Sequence, residues 1–132
     1  MKITKHKEQK ATKGSTEYFT GNVTIDSPFA TDRQNSYSGA VVSFSAGART
    51  AWHTHPMGQT LIILSGKGFA QVKGGTVQEL EVGDVVWFAP EECHWHGARS
   101  DSPMVHIAIA EAKDSSVVTW LEKVTDKEYL SK

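Results

Sequence analysis

One cysteine in 132 residues rules out an internal disulfide framework. Nor is there charge to spare. Fourteen basic against fifteen acidic side chains leave a formal net charge of −1, too little to gather a polyanion or an anionic membrane. Apolar runs are short as well: Leu61 to Leu64, for one, is far from the ~20 residues of a membrane-spanning helix. The polar opening MKITKHKEQKATKG lacks the apolar stretch of a secretory signal. With the lone Cys93, this sets the expectation of a cytoplasmic protein whose partner is neither nucleic acid nor membrane.

Five lysines in the first 13 residues admit two readings, a basic arm or a solvated tail. No aromatic side chain interleaves with them to stack on bases, so residues 1–14 read as a polar tail. Residues 15–132 read as one domain, long enough to bury about two-thirds of its unfolded surface without staples.

From Tyr18 onward, short segments rich in Val, Ile, Thr, Phe and Trp alternate with Gly, Pro, Asp, Asn and Ser. Strands are expected near 18–25, 38–45, 50–55, 59–64, 68–73, 76–81, 85–88, 93–97, 104–111 and 117–124. The segment Asp26 to Ser38 is the longest expected loop. Such spacing, with turns at Ser65-Gly66, Gly74-Gly75, Gly83-Asp84 and Pro90, predicts an all-β sandwich or barrel. Helix is confined to a short C-terminal turn, where Thr125 and Glu128 have capping-box spacing.

Five of the six histidines fall between positions 53 and 106. In a strand, residues i and i+2 share a face, so His53 projects with His55 and His94 with His96. Two imidazoles on one pleat can converge on one ion, and Gln59 and His94 are candidates for the remaining positions. The competing reading makes these histidines buried or surface structural groups. Cys93 alternates away from His94 and reads as a packed thiol rather than a ligand. By the same alternation Ala40, Val42 and Phe44 share a face, Leu61 and Ile63 share that of Gln59, and Ala108 and Ala110 share that of His106. Together they predict a small apolar chamber beside the histidines, suited to a small organic molecule. Trp52, Trp87 and Trp95 read as core or as an interface between subunits.

The stretch Gly47-ARTAW-His53-Thr-His55-PMG-Gln59-TLIILS-Gly66 resembles the first cupin motif: Gly, five residues, His-x-His, three or four residues, Glu, six residues, Gly. Only its Glu has changed, to Gln59. A second stretch, Gly83-DVVWF-Ala89-Pro90-Glu91-EC-His94-WHG-Ala98, is similar to the second motif, with its Pro, inner Gly and Asn replaced by Ala89, Glu91 and Ala98. The resemblance covers roughly Ser38 to Glu111. It implies an all-β cupin double-stranded β-helix, or jelly-roll barrel, with His53, His55, Gln59 and His94 around one divalent metal ion.

A Glu ligand cancels one unit of metal charge and the neutral Gln59 does not, which tilts such a site toward Lewis-acid chemistry and away from redox cycling. His96 and His106 are left as a general acid and base, or else as supporting core histidines. Thr50 adds a hydroxyl, or is an ordinary strand threonine.

The runs GARTAWHTHPMGQT, GDVVWF, HWHGA, HIAI and TDKEY are similar to the small bacterial cupins that act as (R)-selective hydroxynitrile lyases. That resemblance implies a manganese-dependent, reversible cleavage of cyanohydrins such as mandelonitrile to an aldehyde and hydrogen cyanide. It places Thr50, His96 and His106 around the substrate, and leaves Fe2+, Zn2+ and Ni2+ as alternative ions. Two rival expectations stand beside it, a metal-dependent cupin dioxygenase of a small molecule and a non-catalytic ligand-sensing cupin. Exposed sheet edges favour a homo-oligomer, dimer or tetramer.

Overall fold

The computed structural model describes residues 1–131. A 3₁₀ turn, His6–Glu8, precedes thirteen strands. They are β1 (Thr12–Lys13), β2 (Phe19–Thr20), β3 (Val23–Ala30), β4 (Tyr37–Phe44), β5 (Arg49–Thr50), β6 (His53–Thr54) and β7 (Gln59–Gly66). There follow β8 (Gly68–Val72), β9 (Gln78–Leu80), β10 (Val85–Phe88), β11 (His94–Ala98), β12 (Met104–Glu111) and β13 (Thr119–Trp120), then the helical turn α1 (Asp126–Tyr129). No described helix is long and apolar enough to cross a membrane.

The strands form two antiparallel sheets, one ordered β1-β3-β4-β12-β7-β10 and the other β13-β6-β11-β5-β2, with β8 on the far side of β11 and β9 beyond it. This is the expected all-β jelly-roll barrel. Period-two patterning explains why these residues make these layers. Along β7, Gln59, Leu61 and Ile63 are buried while Thr60, Ile62 and Leu64 are less so. The buried faces of both sheets meet in one core, with Val42, Phe44, Leu61, Ile63 and Phe88 from the first and Ala70, Leu80 and Ala98 from the second.

A second cluster, Trp52, Phe69, Trp95, Val124 and Tyr129, covers the back of the second sheet. Cys93 packs against it, facing away from His94 as alternation requires. There the capping box at Thr125 and Glu128 is formed, and the Arg49 guanidinium donates to the Val124 carbonyl at 2.9 Å and to Asp126 at 2.7 Å. Thus the short α1 is held by packing more than by its own length.

Several expectations change. Segments 18–25 and 50–55 are each divided, into β2 and β3 and into β5 and β6. Segment 26–38 is not a single loop, because β3 continues to Ala30. A bulge between Asp26 and Phe29, with Ser27 at φ 46°, absorbs Pro28 without breaking the ladder to β4. The 1–14 tail is not wholly detached, since Thr12 and Lys13 pair with Ile25 and Thr24. Of the segment 117–124 only Thr119–Trp120 is strand.

Candidate metal centre and cavity

Strand pairing, more than chain proximity, assembles the histidines. His94 on β11 lies opposite His53 on β6, and their rings stand 4.3 Å apart. Just beyond β6, His55 brings its ring to 5.0 Å from His53 and 5.6 Å from His94. A turn then reverses the chain at Gly58, whose φ of +82° suits glycine and whose missing Cβ leaves room for the Trp87 ring. That turn sets Gln59 facing the same point, its Oε1 at 3.2 Å from His94 Nε2. Glu91 occupies the inner-glycine position of the second motif and keeps a left-handed φ of 64°. Its N–H donates to the His55 carbonyl at 2.9 Å, which fixes this turn against the first motif.

The protons of three imidazoles can be placed from their partners. Nδ1 lies 2.9 Å from the Ala51 carbonyl in His53, 2.6 Å from the Val117 carbonyl in His55 and 2.8 Å from the Glu92 carbonyl in His94. A carbonyl only accepts, so each Nδ1 carries the hydrogen and, in the neutral ring, each Nε2 presents a lone pair; at His94 that lone pair faces the acceptor Gln59 Oε1 at 3.2 Å, two acceptors converging as ligands of one ion do. The His55 Nε2 is buried with no hydrogen-bond partner. Such carbonyl-anchored imidazoles are the usual support of metal-ligating histidines, and the residues therefore fit a divalent ion.

Burial keeps these rings neutral. It holds His94 down at about 4 and His53 well below the ordinary imidazole value, the latter helped by the neighbouring His94. His55 is lowered as well, by burial.

Proximity and proton placement select different trios. The histidines whose ligand nitrogens all lie within 4.8 Å of one another are His53, His94 and His96. This trio replaces His55 with His96, which shares the His94 face of β11. His96 Nδ1, however, sits 3.0 Å from His106 Nε2, so one of these two nitrogens donates to the other and the Nε2 lone pair of His96 is not fixed. The expected set His53, His55, Gln59 and His94 rests on the fixed lone pairs. Burial pushes both members of the pair down, His96 well below its ordinary value and His106 to about 4.

Beside the histidines lies a cavity of about 250 Å³. Ala40, Val42 and Phe44 from β4 and Ala108 and Ala110 from β12 line it as expected, together with Thr50, His96 and His106. Thr50 Oγ1 accepts the His96 backbone N–H at 3.2 Å, so its own hydroxyl hydrogen remains available to a guest. Leu61 and Ile63 are corrected: they share the inward face of Gln59 but are sealed in the core with Met104, and do not line the cavity. Besides Ser38 and Gly39 on β4, five apolar wall residues escaped the sequence reading, namely Phe19, Ile25, Val117, Val118 and Trp120. They come from both ends of the chain and meet the histidines only on closure of the barrel. The pairing of Trp120 with His53 is the clearest case. Of the tryptophans, Trp52 and Trp95 are core, whereas Trp87 is 59% exposed.

Comparison with known proteins agrees with this architecture. Residues 40–110 match the model of the cupin domain. The chain is 50% identical over 129 residues, 98% of either protein, to an (R)-mandelonitrile lyase from Granulicella tundricola. It is similar to the crystal structure of a cupin-like protein from Thermotoga maritima, with a TM-score of 0.84, 43% identity and 90% of each chain covered. A cupin-2 domain from Rhodospirillum rubrum shares the fold at a TM-score of 0.72, covering 96% of this chain and 82% of that one, with 16% identity.

Proposed function

The chain belongs to the cupin family, and from that premise we propose that it is a metal-dependent hydroxynitrile lyase, reversibly cleaving aromatic cyanohydrins such as mandelonitrile. The observation that carries this reading is the 50% identity, end to end, with an (R)-mandelonitrile lyase. The apolar cavity beside three fixed imidazole lone pairs supports it.

In this reading His53, His55, Gln59 and His94 hold one divalent ion, Mn2+ ahead of Fe2+, Zn2+ or Ni2+. When bound, the ion supplies Lewis acidity toward a cyanohydrin oxygen, undiminished by any anionic protein ligand. The chain's own groups do the rest. Phe44, Val42 and Ala40 take the aryl ring, and their apolar wall keeps water from the reacting carbon. Thr50 donates its hydroxyl hydrogen to the substrate oxygen.

A neutral imidazole of the His96 and His106 pair takes the hydroxyl proton. The carbon–carbon electron pair leaves with cyanide, and the C–O bond becomes the carbonyl of the aldehyde. The same imidazolium then protonates cyanide, so no net proton is consumed.

We place the protein in the cytoplasm as a homo-oligomer, dimer or tetramer. β10 is an open sheet edge, and Val85, Trp87 and Leu64, exposed by 67%, 59% and 44%, give it and the neighbouring β7 an apolar surface suited to a second copy.

Cyanide release from (R)-mandelonitrile is the test. The expected result is release by the metal-loaded protein, loss on chelation and recovery on adding Mn2+. Absence of release from fully loaded protein sinks the lyase reading, and oxygen consumption by iron-loaded protein would favour the dioxygenase.

A further inference from the structure

The three anchored imidazoles are not held alike. His53 and His94 are fixed by carbonyls two residues back on their own segments, those of Ala51 and Glu92. His55 is fixed by Val117, 62 residues away, in the segment that joins β12 to β13. Val117 and its neighbour Val118 both belong to the cavity wall, as does His55. One residue therefore both anchors an imidazole through its carbonyl and belongs to the wall of the space a guest would fill.

The segment itself has few ties. Residues 113–116 are exposed, and neither Asp114 at φ 51° nor Ser115 at φ 68° is the glycine that such angles favour. Lys113 and Ser116 exchange two backbone hydrogen bonds. A longer-range tie comes from the turn between β3 and β4, where Asn35 Oδ1 accepts from the Ser115 N–H at 3.2 Å. Beyond Val118, Trp120 is docked on His53 through β13.

We propose that Val117 is a positioning residue that couples an occupied cavity to the orientation of His55. A guest packed on the Val117 side chain presses the segment into place and holds its carbonyl on Nδ1, which keeps Nε2 aimed inward. Reciprocally, an ion that holds the His55 ring fixes the segment and completes the wall. Ion and apolar guest then strengthen each other's binding, as linkage requires. The inference rests on the reading that His55 is a ligand.

The test uses cobalt(II), whose paramagnetism shifts the exchangeable Nδ1–H protons of ligating histidines clear of the rest of the proton spectrum. The wild-type protein should show three such protons, slow to exchange with solvent. Asn35→Ala removes the tie to Ser115, and Val117→Gly removes the wall side chain while leaving the carbonyl. Both should speed exchange of the same single proton by about fivefold, the opening expected for one lost hydrogen bond. Benzene, which cannot ligate, should slow that proton in the wild type and fail to do so in Val117→Gly. A merely structural loop would alter all three protons together or none, and either result overturns the coupling while leaving the metal centre intact. Fewer than three such protons in the wild type would overturn the ligand set, and the coupling with it.

Discussion

The carbonyl oxygens of Ala51, Glu92 and Val117 decide where three buried protons lie, and so which nitrogens can ligate. None of this was legible in the His-x-His spacing, which gives a shared face but no tautomer. In the proposed function, Gln59 is the residue at which chemistry is tuned. Gln59→Glu keeps an oxygen ligand but lowers the site charge by one, so metal content should persist while cyanohydrin cleavage falls. Cleavage equal to the wild type at full loading would refute this account of the neutral ligand. His106 offers a different contrast, lying 3.0 Å from His96 and lining the cavity without belonging to the expected ligand set. In His106→Ala, metal should be retained and turnover should drop by about 10² to 10⁴, the range for a lost acid or base. Near-normal turnover per metal-loaded molecule, with a lowered melting temperature, would return His106 to a structural role.

Elements were read well where pattern is local and poorly where pairing decides. β10 and β12 match the expected bounds, because alternation and flanking turns define them within the sequence. β3 overran its expected end because a bulge at Ser27 hides a strand behind Pro28, and composition alone cannot show a bulge. The cavity wall was half legible: β4 and β12 gave their inward faces, but Trp120 and Val117 enter from a segment with little strand of its own. Leu61 and Ile63 misled for the complementary reason, since a shared face fixes a side and not a depth. On β10, Trp87 is expected to be an interface residue. Trp87→Glu should shift sedimentation from oligomer to monomer, and a wild-type protein that already sediments as a monomer would count against that role.

At the scale of the whole molecule, the site has a cost that pH should reveal. Burial lowers the folded-state values of His94 and His106 to about 4, and those of His53 and His96 also lie below the ordinary value near 6.5. Between those limits the unfolded chain binds more protons than the folded one, so stability rises with pH. For the metal-free protein, stability should be full above about pH 6.5. It should be lost as pH falls toward 4, by on the order of 3 kcal/mol for each of His94 and His106. Melting curves across that window check it, and a flat profile would mean that the rings are better solvated than their burial implies. The fold and the gathering of the histidines were thus legible in outline from motif spacing and strand period. The cross-chain contacts that close the barrel were not, because they join residues with no local signature.

Everything proposed for this cavity depends on one divalent ion held by His53, His55, Gln59 and His94. Elemental analysis of untagged protein, wild type beside His53→Ala, tests it most directly. One equivalent of metal per chain is expected in the wild type and none in His53→Ala, because a site with four protein ligands loses one imidazole for which its neighbours offer no substitute. A stoichiometric ion in His53→Ala, or cyanohydrin cleavage by wild-type protein free of metal, would contradict it.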